Sequence, residues 1–181
     1  MKKVYLAGPD VFLPDASARG AHLKALCAEH DLIGLFPLDN DLTSQEHGSV
    51  AMAAAIRTAN MELIKSCDAI LANMTPFRGP SMDVGTAYEM GVGAAWGKVV
   101  VGYAIEGKSY VEKVKKVHVV KRHEDGYLRD EMGMSVEEFG GVLEGEKGLV
   151  DNLMVACGVH KLCGSEEEGV RIIAEILTGG K

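Results

Sequence analysis

The sequence lacks the motifs of a metal centre or a disulfide framework. It has four cysteines in 181 residues, none of them in a C-x-x-C pair, and its six histidines form no H-E-x-x-H motif. Structural zinc sites and small disulfide-stabilised folds need more cysteines, or cysteines at closer spacing, than these. We therefore expect no metal and no cofactor, and we interpret the cysteines as reduced, partly buried thiols of a cytoplasmic protein.

The sequence also lacks a long uninterrupted apolar run and an excess of basic residues. Its apolar runs contain glycines and are too short to span a bilayer. The first residues begin like a signal peptide, but Pro9 and Asp10 interrupt the apolar stretch, so we interpret it as a strand. The net charge of −7 argues against a non-specific nucleic-acid binder. We expect neither a membrane nor a nucleic acid as a partner.

What the chain does contain is a regular alternation of short apolar runs and helical patterns, typical of a single α/β domain over residues 1–181. Near-continuous apolar strands separated by helices predict a doubly wound parallel sheet in a three-layer αβα sandwich. Residues of about 105–148 break the alternation and are predicted to form an irregular excursion. The predicted strands are 4–8, 32–36, 69–74, 99–104 and a possible last one within 158–164, and the predicted helices are 15–31, 49–67, 83–98 and 165–177.

Ligands of doubly wound sheets bind beyond the carboxyl ends of the strands. The segments that leave those ends here are rich in glycine, proline, aspartate and asparagine. We therefore predict the functional site along this edge, formed by residues 8–12, 37–40, 75–83 and the loop after Ala104.

One predicted helix, D-V-G-T-A-Y-E-M-G-V-G-A-A-W-G-K (83–98), combines several glycines with a single central acid, Glu89. Gly85 lies on the same helix face as Glu89 and leaves room for a ligand beside it, while Asp83 suits the N-cap. A carboxylate at the cap and another below the gap favour binding of a polyol and a nucleophile or base. The alternatives are that Glu89 is a surface acid, that the glycines serve close packing, and that Asp83 is only a cap. The sequence has no G-x-G-x-x-G motif at the first predicted strand–helix turn, and it has no P-loop motif.

Four stretches together resemble the nucleoside 2-deoxyribosyltransferase family, most closely its short kinetoplastid-type members. The stretches are V-Y-L-A-G-P-D-V-F-L-P-D, P-L-D-N, S-C-D-A-I-L-A-N-M-T-P-F-R-G-P-S-M-D-V-G-T-A-Y-E-M-G and D-N-L-M. The resemblance covers most of residues 3–103 and resumes at about 149–155. It implies a flavodoxin-like fold and a double displacement, in which a carboxylate attacks C1′ of a 2′-deoxynucleoside and then passes the sugar to another base.

The resemblance also implies a role for each matching residue. Glu89 would be the nucleophile, Tyr5 would orient it, and Asp83 would bind sugar hydroxyls. Asn152, with Met154 beside it, would come from a neighbouring subunit, which implies a homodimer or higher oligomer with shared sites. The other residues expected to contact the substrate are Gly8, Phe12, Asp39, Asn40, Asn60, Phe77, Arg78, Ser81 and Gly85.

The sequence departs from the family pattern at Asn60, where many members carry an aspartate that protonates or steadies the leaving base. Asparagine can hydrogen-bond a base edge but does not readily donate a proton. Acid catalysis of base departure is therefore in question. Asp68, at the start of the third predicted strand, could be mistaken for this acid, but it is expected to have a structural role.

Three functions remain open from the sequence. The first is a transferase that exchanges the bases of 2′-deoxynucleosides, and the second is a hydrolase of nucleosides or their 5′-monophosphates on the same scaffold. The third is a non-catalytic nucleotide-binding module. For the substrate, the carboxylate of Asp83 favours a free 5′-hydroxyl over a phosphate, whereas Arg78 and Ser81 are evidence in the opposite direction.

Overall fold

A five-stranded parallel sheet forms the centre of the computed structural model, which describes residues 1–40, 46–105, 107–140 and 148–179. The three central strands are fully or largely buried, as expected of a sheet with both faces covered. In chain order the strands are β1 (Lys2–Ala7), β2 (Leu32–Leu35), β3 (Ala69–Asn73), β4 (Val99–Tyr103) and, after two short strands described below, β7 (Lys161–Cys163). Across the sheet they are ordered β2-β1-β3-β4-β7. This order confirms the predicted doubly wound, flavodoxin-like architecture.

Two pairs of helices cover the two faces of the sheet. One core packs α1 (Ala16–Ala28) and α6 (Glu166–Thr178) against the sheet through residues such as Leu23 and Ile173. The other packs α2 (Val50–Ser66) and α3 (Val84–Ala95) through residues such as Ile64 and Met90. Side chains of β1 alternate between these cores, so Val4 and Leu6 face the first while Tyr5 and Ala7 face the second.

Polar side chains cap the N-terminal ends of α2, α3 and α6. The Ser49 side chain accepts a hydrogen bond from the Met52 amide at 3.0 Å, and the Asp83 side chain accepts one from the Thr86 amide at 2.8 Å. Ser165 likewise accepts from the Glu168 amide at 3.3 Å, as its predicted cap requires. Two 3₁₀ turns, Pro9–Phe12 and Pro37–Asp39, follow β1 and β2 at the predicted functional edge.

The predicted excursion at about 105–148 contains short elements where it is described, and residues 106 and 141–147 lie outside the described part of the chain. These elements are α4 (Tyr110–Val114) and an antiparallel hairpin of β5 (Lys121–Arg122) and β6 (Leu128–Arg129). After residue 148 the chain returns to the sheet through α5 (Leu153–Ala156).

A buried ion pair connects this region to the sheet. Lys113 Nζ lies 3.5 Å from Asp151 Oδ2, and the same carboxylate oxygen accepts a hydrogen bond from the Met82 amide at 2.8 Å. Asp151 therefore joins α4 and α5 to the loop that leads into α3.

The described helices include none with the length and apolarity needed to cross a membrane. All four cysteines are free thiols, with Cys27, Cys67 and Cys163 buried and Cys157 exposed.

Candidate active site

The centre of the candidate site is a hydrogen bond between β1 and α3. The buried Tyr5 hydroxyl donates to Glu89 Oε1 at 2.6 Å, although 84 residues separate the two in the sequence. Tyr5 reaches Glu89 because its position on β1 faces the α2–α3 side of the sheet. The structure thus brings the expected nucleophile and its expected orienting residue into direct contact.

The environment of Glu89 favours its protonated form more than water does. Burial raises the pKa of Glu89 to about 7, and the nearby charge of Asp83 adds to the rise. Hydrogen bonds from Tyr5 and from the Asn60 side chain lower the same pKa and limit the shift. Burial and the Glu89 charge also raise the pKa of Tyr5, which keeps its hydroxyl protonated as a donor. Glu89 is therefore divided between carboxylate and acid near neutral pH.

Asp83 is the N-cap of α3, as predicted. Its Oδ2 accepts hydrogen bonds from the Thr86 amide at 2.8 Å and the Thr86 hydroxyl at 2.9 Å. Oδ1 makes no hydrogen bond to the described part of the chain. The cap uses one carboxylate oxygen, and the other can accept a hydrogen bond from a ligand hydroxyl.

The sequence offered two explanations for the glycines of α3, room for a ligand beside Glu89 and close packing, and each applies to a different glycine. A Cβ built on Gly85 would meet only the Asp83 carboxylate within 4 Å, at 3.1 Å from Oδ2, so the helix is open on this side. A Cβ built on Gly93 would overlap Ile70 Cδ1, so this glycine serves close packing of α3 on β3. Gly97 has a φ of 70° just after the helix, a conformation that favours glycine. The interpretation of open space beside Glu89 therefore applies to Gly85.

A cleft of about 710 Å³ opens over this part of the sheet edge. It contains seven residues that the sequence singled out, and a size of this order suits a small-molecule ligand. These seven are Gly8, Phe12, Asn40, Asn60, Asp83, Gly85 and Glu89.

Val11, Pro37 and Leu38 also line the cleft and lie in the predicted 8–12 and 37–40 segments. The sequence did not indicate four other lining residues: His47, Met52 and Ile56, which come from the chain just before α2 and from its first turns, and Thr86 on α3. The available signal was the position of α2, whose N-terminal end follows the predicted 37–40 loop at the same edge of the sheet.

Three predicted residues form a group beside the cleft without lining it. The Phe77 ring stacks on Phe12, with centroids 5.3 Å apart and planes inclined by 13°. The Arg78 guanidinium lies 4.6 Å from the Phe77 centroid, and the Phe77 amide donates to the Ser81 carbonyl at 2.9 Å. Phe77, Arg78 and Ser81 thus support the Phe12 side of the cleft, and Arg78 does so with a φ of 55°.

Three other predicted residues lie away from the cleft of their own chain. Asp39 accepts hydrogen bonds from Lys24 Nζ at 2.6 Å and the Phe36 amide at 3.0 Å. Asn152 caps α5 by accepting from the Met154 amide at 3.0 Å, and its Nδ2 donates to Glu137 at 2.5 Å. The Met154 side chain is 75% exposed.

Asn60 and Asp68 have different surroundings. Asn60 lines the cleft close enough to Glu89 to lower its pKa, and its buried Oδ1 has no hydrogen-bond partner in the described part of the chain. Asp68 lies at the opposite, amino end of β3, where it accepts from the Lys3 amide at 2.9 Å and Lys2 Nζ at 2.8 Å. Those contacts agree with the structural role expected of Asp68.

A second group of buried acids lies on the other face of the sheet, around Arg19. Arg19 donates to Asp10 Oδ1 and to Glu166 Oε1, each at 2.7 Å, and Asn73 Nδ2 donates to Asp10 Oδ2 at 2.9 Å. His22 and Glu167 lie close enough to Glu166 to be considered as metal ligands with it. Since Arg19 already balances Glu166, this group is better suited to holding the 8–12 loop than to binding a cation.

Comparisons with known proteins give a consistent result. The family model described as nucleoside 2-deoxyribosyltransferase matches residues 4–154. The structure of a 2-desoxiribosyltransferase from Leishmania mexicana is similar at 33% identity and a TM-score of 0.71, covering 97% of this chain and 98% of the other. A conserved protein from Enterococcus faecalis shares the fold, with 21% identity, a TM-score of 0.62 and coverage of 97% and 99%. An uncharacterised protein of Schizosaccharomyces pombe is 32% identical over 155 residues, which are 83% of this chain and 74% of that relative.

Proposed function

Since the chain belongs to the nucleoside 2-deoxyribosyltransferase family, we propose that it transfers 2-deoxyribose between nucleobases through a covalent intermediate on Glu89. The observation that carries this proposal is the Tyr5–Glu89 pair. It places a buried carboxylate, with a pKa of about 7 and a 2.6 Å hydrogen bond from Tyr5, in a cleft of small-molecule size.

In the first half of the reaction, a carboxylate oxygen of Glu89 forms a bond to C1′ while the C1′–N bond breaks. The electron pair of that bond leaves with the base. The anomeric carbon develops oxocarbenium character on the way, and a close carboxylate both stabilises this charge and captures the sugar. Tyr5 keeps one carboxylate oxygen in place through its hydrogen bond, and Oδ1 of Asp83 can accept from a sugar hydroxyl.

In the second half, a nitrogen of another base attacks C1′, and the ester bond to Glu89 breaks. If water attacks instead, the products are those of a hydrolase. The apolar residues Val11, Phe12, Leu38, Met52 and Ile56 in the cleft lining support the transferase, because an apolar wall favours a flat base over water in the acceptor position.

Incubation with a 2′-deoxynucleoside, with and without a second free base, tests this function. Chromatography is expected to show a new nucleoside only when the second base is present, and intact mass spectrometry is expected to show a deoxyribosyl adduct. Glu89→Ala should lose the adduct, whereas Glu62→Ala, at an exposed position on α2, should keep it. Equal release of free base with and without the acceptor would favour the hydrolase, and a fully active Glu89→Ala would contradict both.

We also propose that the active unit is at least a dimer in which Asn152 and Met154 complete a neighbour's site. Neither residue lines the cleft of its own chain, and Met154 is 75% exposed. A two-fold interface would create two equivalent shared sites. Mixing inactive Glu89→Ala with inactive Asn152→Ala chains should restore part of the activity through hybrid sites. A monomer with full activity, identified by light scattering, would contradict this arrangement.

A further inference from the structure

The departing base needs a proton, and the polar groups that line the cleft differ in their ability to supply one. Asn60 occupies the position where an acid was expected, but its side chain lies beside Glu89 and an amide is not an acid near neutral pH. The Tyr5 hydroxyl already donates a hydrogen bond to Glu89. Because burial raises the pKa of Tyr5, this hydroxyl does not give up its proton to the base. Neither neutral donor of the Tyr5–Glu89–Asn60 group is available to the leaving base.

Among the described residues that line the cleft, three carry titratable side chains: His47, Asp83 and Glu89. Glu89 acts as the nucleophile in the proposed function and must lose its proton to do so. Asp83 Oδ2 accepts two hydrogen bonds from Thr86 as the N-cap of α3, so this carboxylate is already engaged as an acceptor. Of the described lining residues, His47 is left as the side chain that can carry a proton into the reaction.

We infer that His47 is the general acid that protonates the leaving base. The inference rests on the proposed function. In this step the imidazolium N–H bond breaks and its proton bonds to a base nitrogen or oxygen, while the C1′–N bond breaks and Glu89 bonds to C1′. The base leaves neutral, and His47 leaves the step as neutral imidazole. In the second half-reaction the same imidazole takes the proton back from the incoming base.

The surroundings of His47 suit this role. It lies in the chain that leads into α2, and the cleft residues nearest to it in sequence, Asn40, Met52 and Ile56, provide one amide and two apolar side chains. Such a wall can hold a flat base beside an imidazole. His47 is exposed at the cleft mouth, so water can exchange its proton between turnovers. Imidazole is the side chain that gains and loses a proton most readily near neutral pH, and Glu46 is the adjacent charged residue.

The test compares substrates that differ in their need for a proton. The purine pair is 2′-deoxyguanosine and 7-methyl-2′-deoxyguanosine, whose base is already cationic and leaves as a neutral molecule. The pyrimidine pair is 2′-deoxyuridine and 5-fluoro-2′-deoxyuridine, whose base leaves more readily as an anion. The variant is His47→Gln, which keeps polarity and approximate size without an acidic proton. The matched control is His30→Gln, at an exposed histidine after α1.

His47→Gln is expected to lower kcat/KM for the parent nucleosides by about 10²-fold or more, in the range of general acid catalysis. For the activated partner of each pair, the same variant is expected to lose less than about 10-fold. His30→Gln should change neither value, and both variants should unfold at the wild-type temperature.

Two outcomes would overturn the inference, and they are distinguishable. Equal losses on parent and activated substrates, or no loss on either, would remove His47 from proton transfer while leaving the proposed function intact. If the wild type releases no base from any of the four nucleosides, the proposed function fails, and the role of His47 fails with it.

Discussion

Two groups of acids lie on opposite faces of the sheet at the same carboxyl edge, and they differ in the charge of the side chains that contact them. On the α2–α3 face, Glu89 receives a hydrogen bond from the neutral Tyr5 hydroxyl, and the neutral Asn60 amide lies beside it. On the α1–α6 face, Asp10 and Glu166 share the guanidinium of Arg19. Burial raises the pKa of Glu89 to about 7, and the hydrogen bond from Tyr5 only limits that rise.

The difference separates a group that can react from a group that holds the backbone. A carboxylate already paired with arginine would be a poor nucleophile, because the cation competes for its charge. Glu89 has no such partner among the described residues, and it faces open space at Gly85. Asp10 and Glu166 instead connect the 8–12 loop, α1 and α6, so their ion pairs keep the Gly8 and Phe12 side of the cleft in place.

The largest expected effect comes from removing the charge of Glu89. Glu89→Gln should lower turnover by at least about 10³-fold, because the amide is not a nucleophile. The same change should stabilise the fold above neutral pH. The pKa of Glu89 rises from its ordinary value of 4.5 to about 7 on folding, so the ionised wild type loses up to about 3 kcal/mol of stability there.

The sign of this effect can be checked by urea unfolding at several pH values. Below about pH 4.5 the carboxyl is protonated in both states, and the two proteins should be equally stable. The advantage of Glu89→Gln should grow as the pH rises and become complete above about pH 7. Glu62→Gln is the control for a general effect of charge removal. A variant that is less stable than the wild type at about pH 8 would contradict the environment assigned to Glu89.

The opposite result is expected when the cation is removed from the second group. Arg19→Met leaves Asp10 and Glu166 buried without their partner and should lower the free energy of unfolding by about 3 kcal/mol or more near neutral pH. Acidification should reduce this deficit, since protonation removes the unpaired charges. Arg171→Met is the matched control, because its exposed pair with Glu175 on α6 should contribute less than about 1 kcal/mol. Equal losses in the two variants would contradict the structural role of Arg19.

The sequence predicted the five strands of the main sheet and its four main helices to within a few residues, because each is a continuous apolar or amphipathic run. It did not predict α4 or the β5–β6 hairpin, whose short strands are too brief for a periodic pattern and carry exposed charges. The contact of Tyr5 with Glu89 and the entry of His47 into the cleft depend on the path of the chain between elements. Local sequence patterns hold no information on a contact between residues 84 positions apart. The contact of Tyr5 with Glu89 was therefore expected only through the family resemblance.

A smaller effect is expected from Tyr5→Phe, which changes one of the neutral donors that distinguish the Glu89 group. Loss of a hydrogen bond to a carboxylate costs about 1.5–3 kcal/mol, so the pKa of Glu89 should rise by a further one to two units or so. Because the carboxylate is the reactive form, the rise of kcat/KM with pH should move to higher pH by the same amount. A pH–rate profile of both proteins measures this shift. An unchanged profile with a uniformly lower rate would assign Tyr5 a role in packing alone.

The smallest expected effect concerns Asp83, the second acid of the cleft, and the choice between a 5′-hydroxyl and a 5′-phosphate. Asp83→Ser should keep the helix cap, since serine also caps well, but it removes a negative charge from the cleft. A phosphate carries a charge of about −1.5 to −2, so this change should raise kcat/KM for a deoxynucleoside 5′-monophosphate relative to the nucleoside by about tenfold. Asp83→Asn separates charge from shape, because it should shift the ratio in the same direction while keeping nearly the same size. The wild type itself should prefer the nucleoside. If it prefers the monophosphate, then the guanidinium of Arg78, 5.3 Å from the centroid of Phe12 at the edge of the cleft, outweighs the repulsion from Asp83.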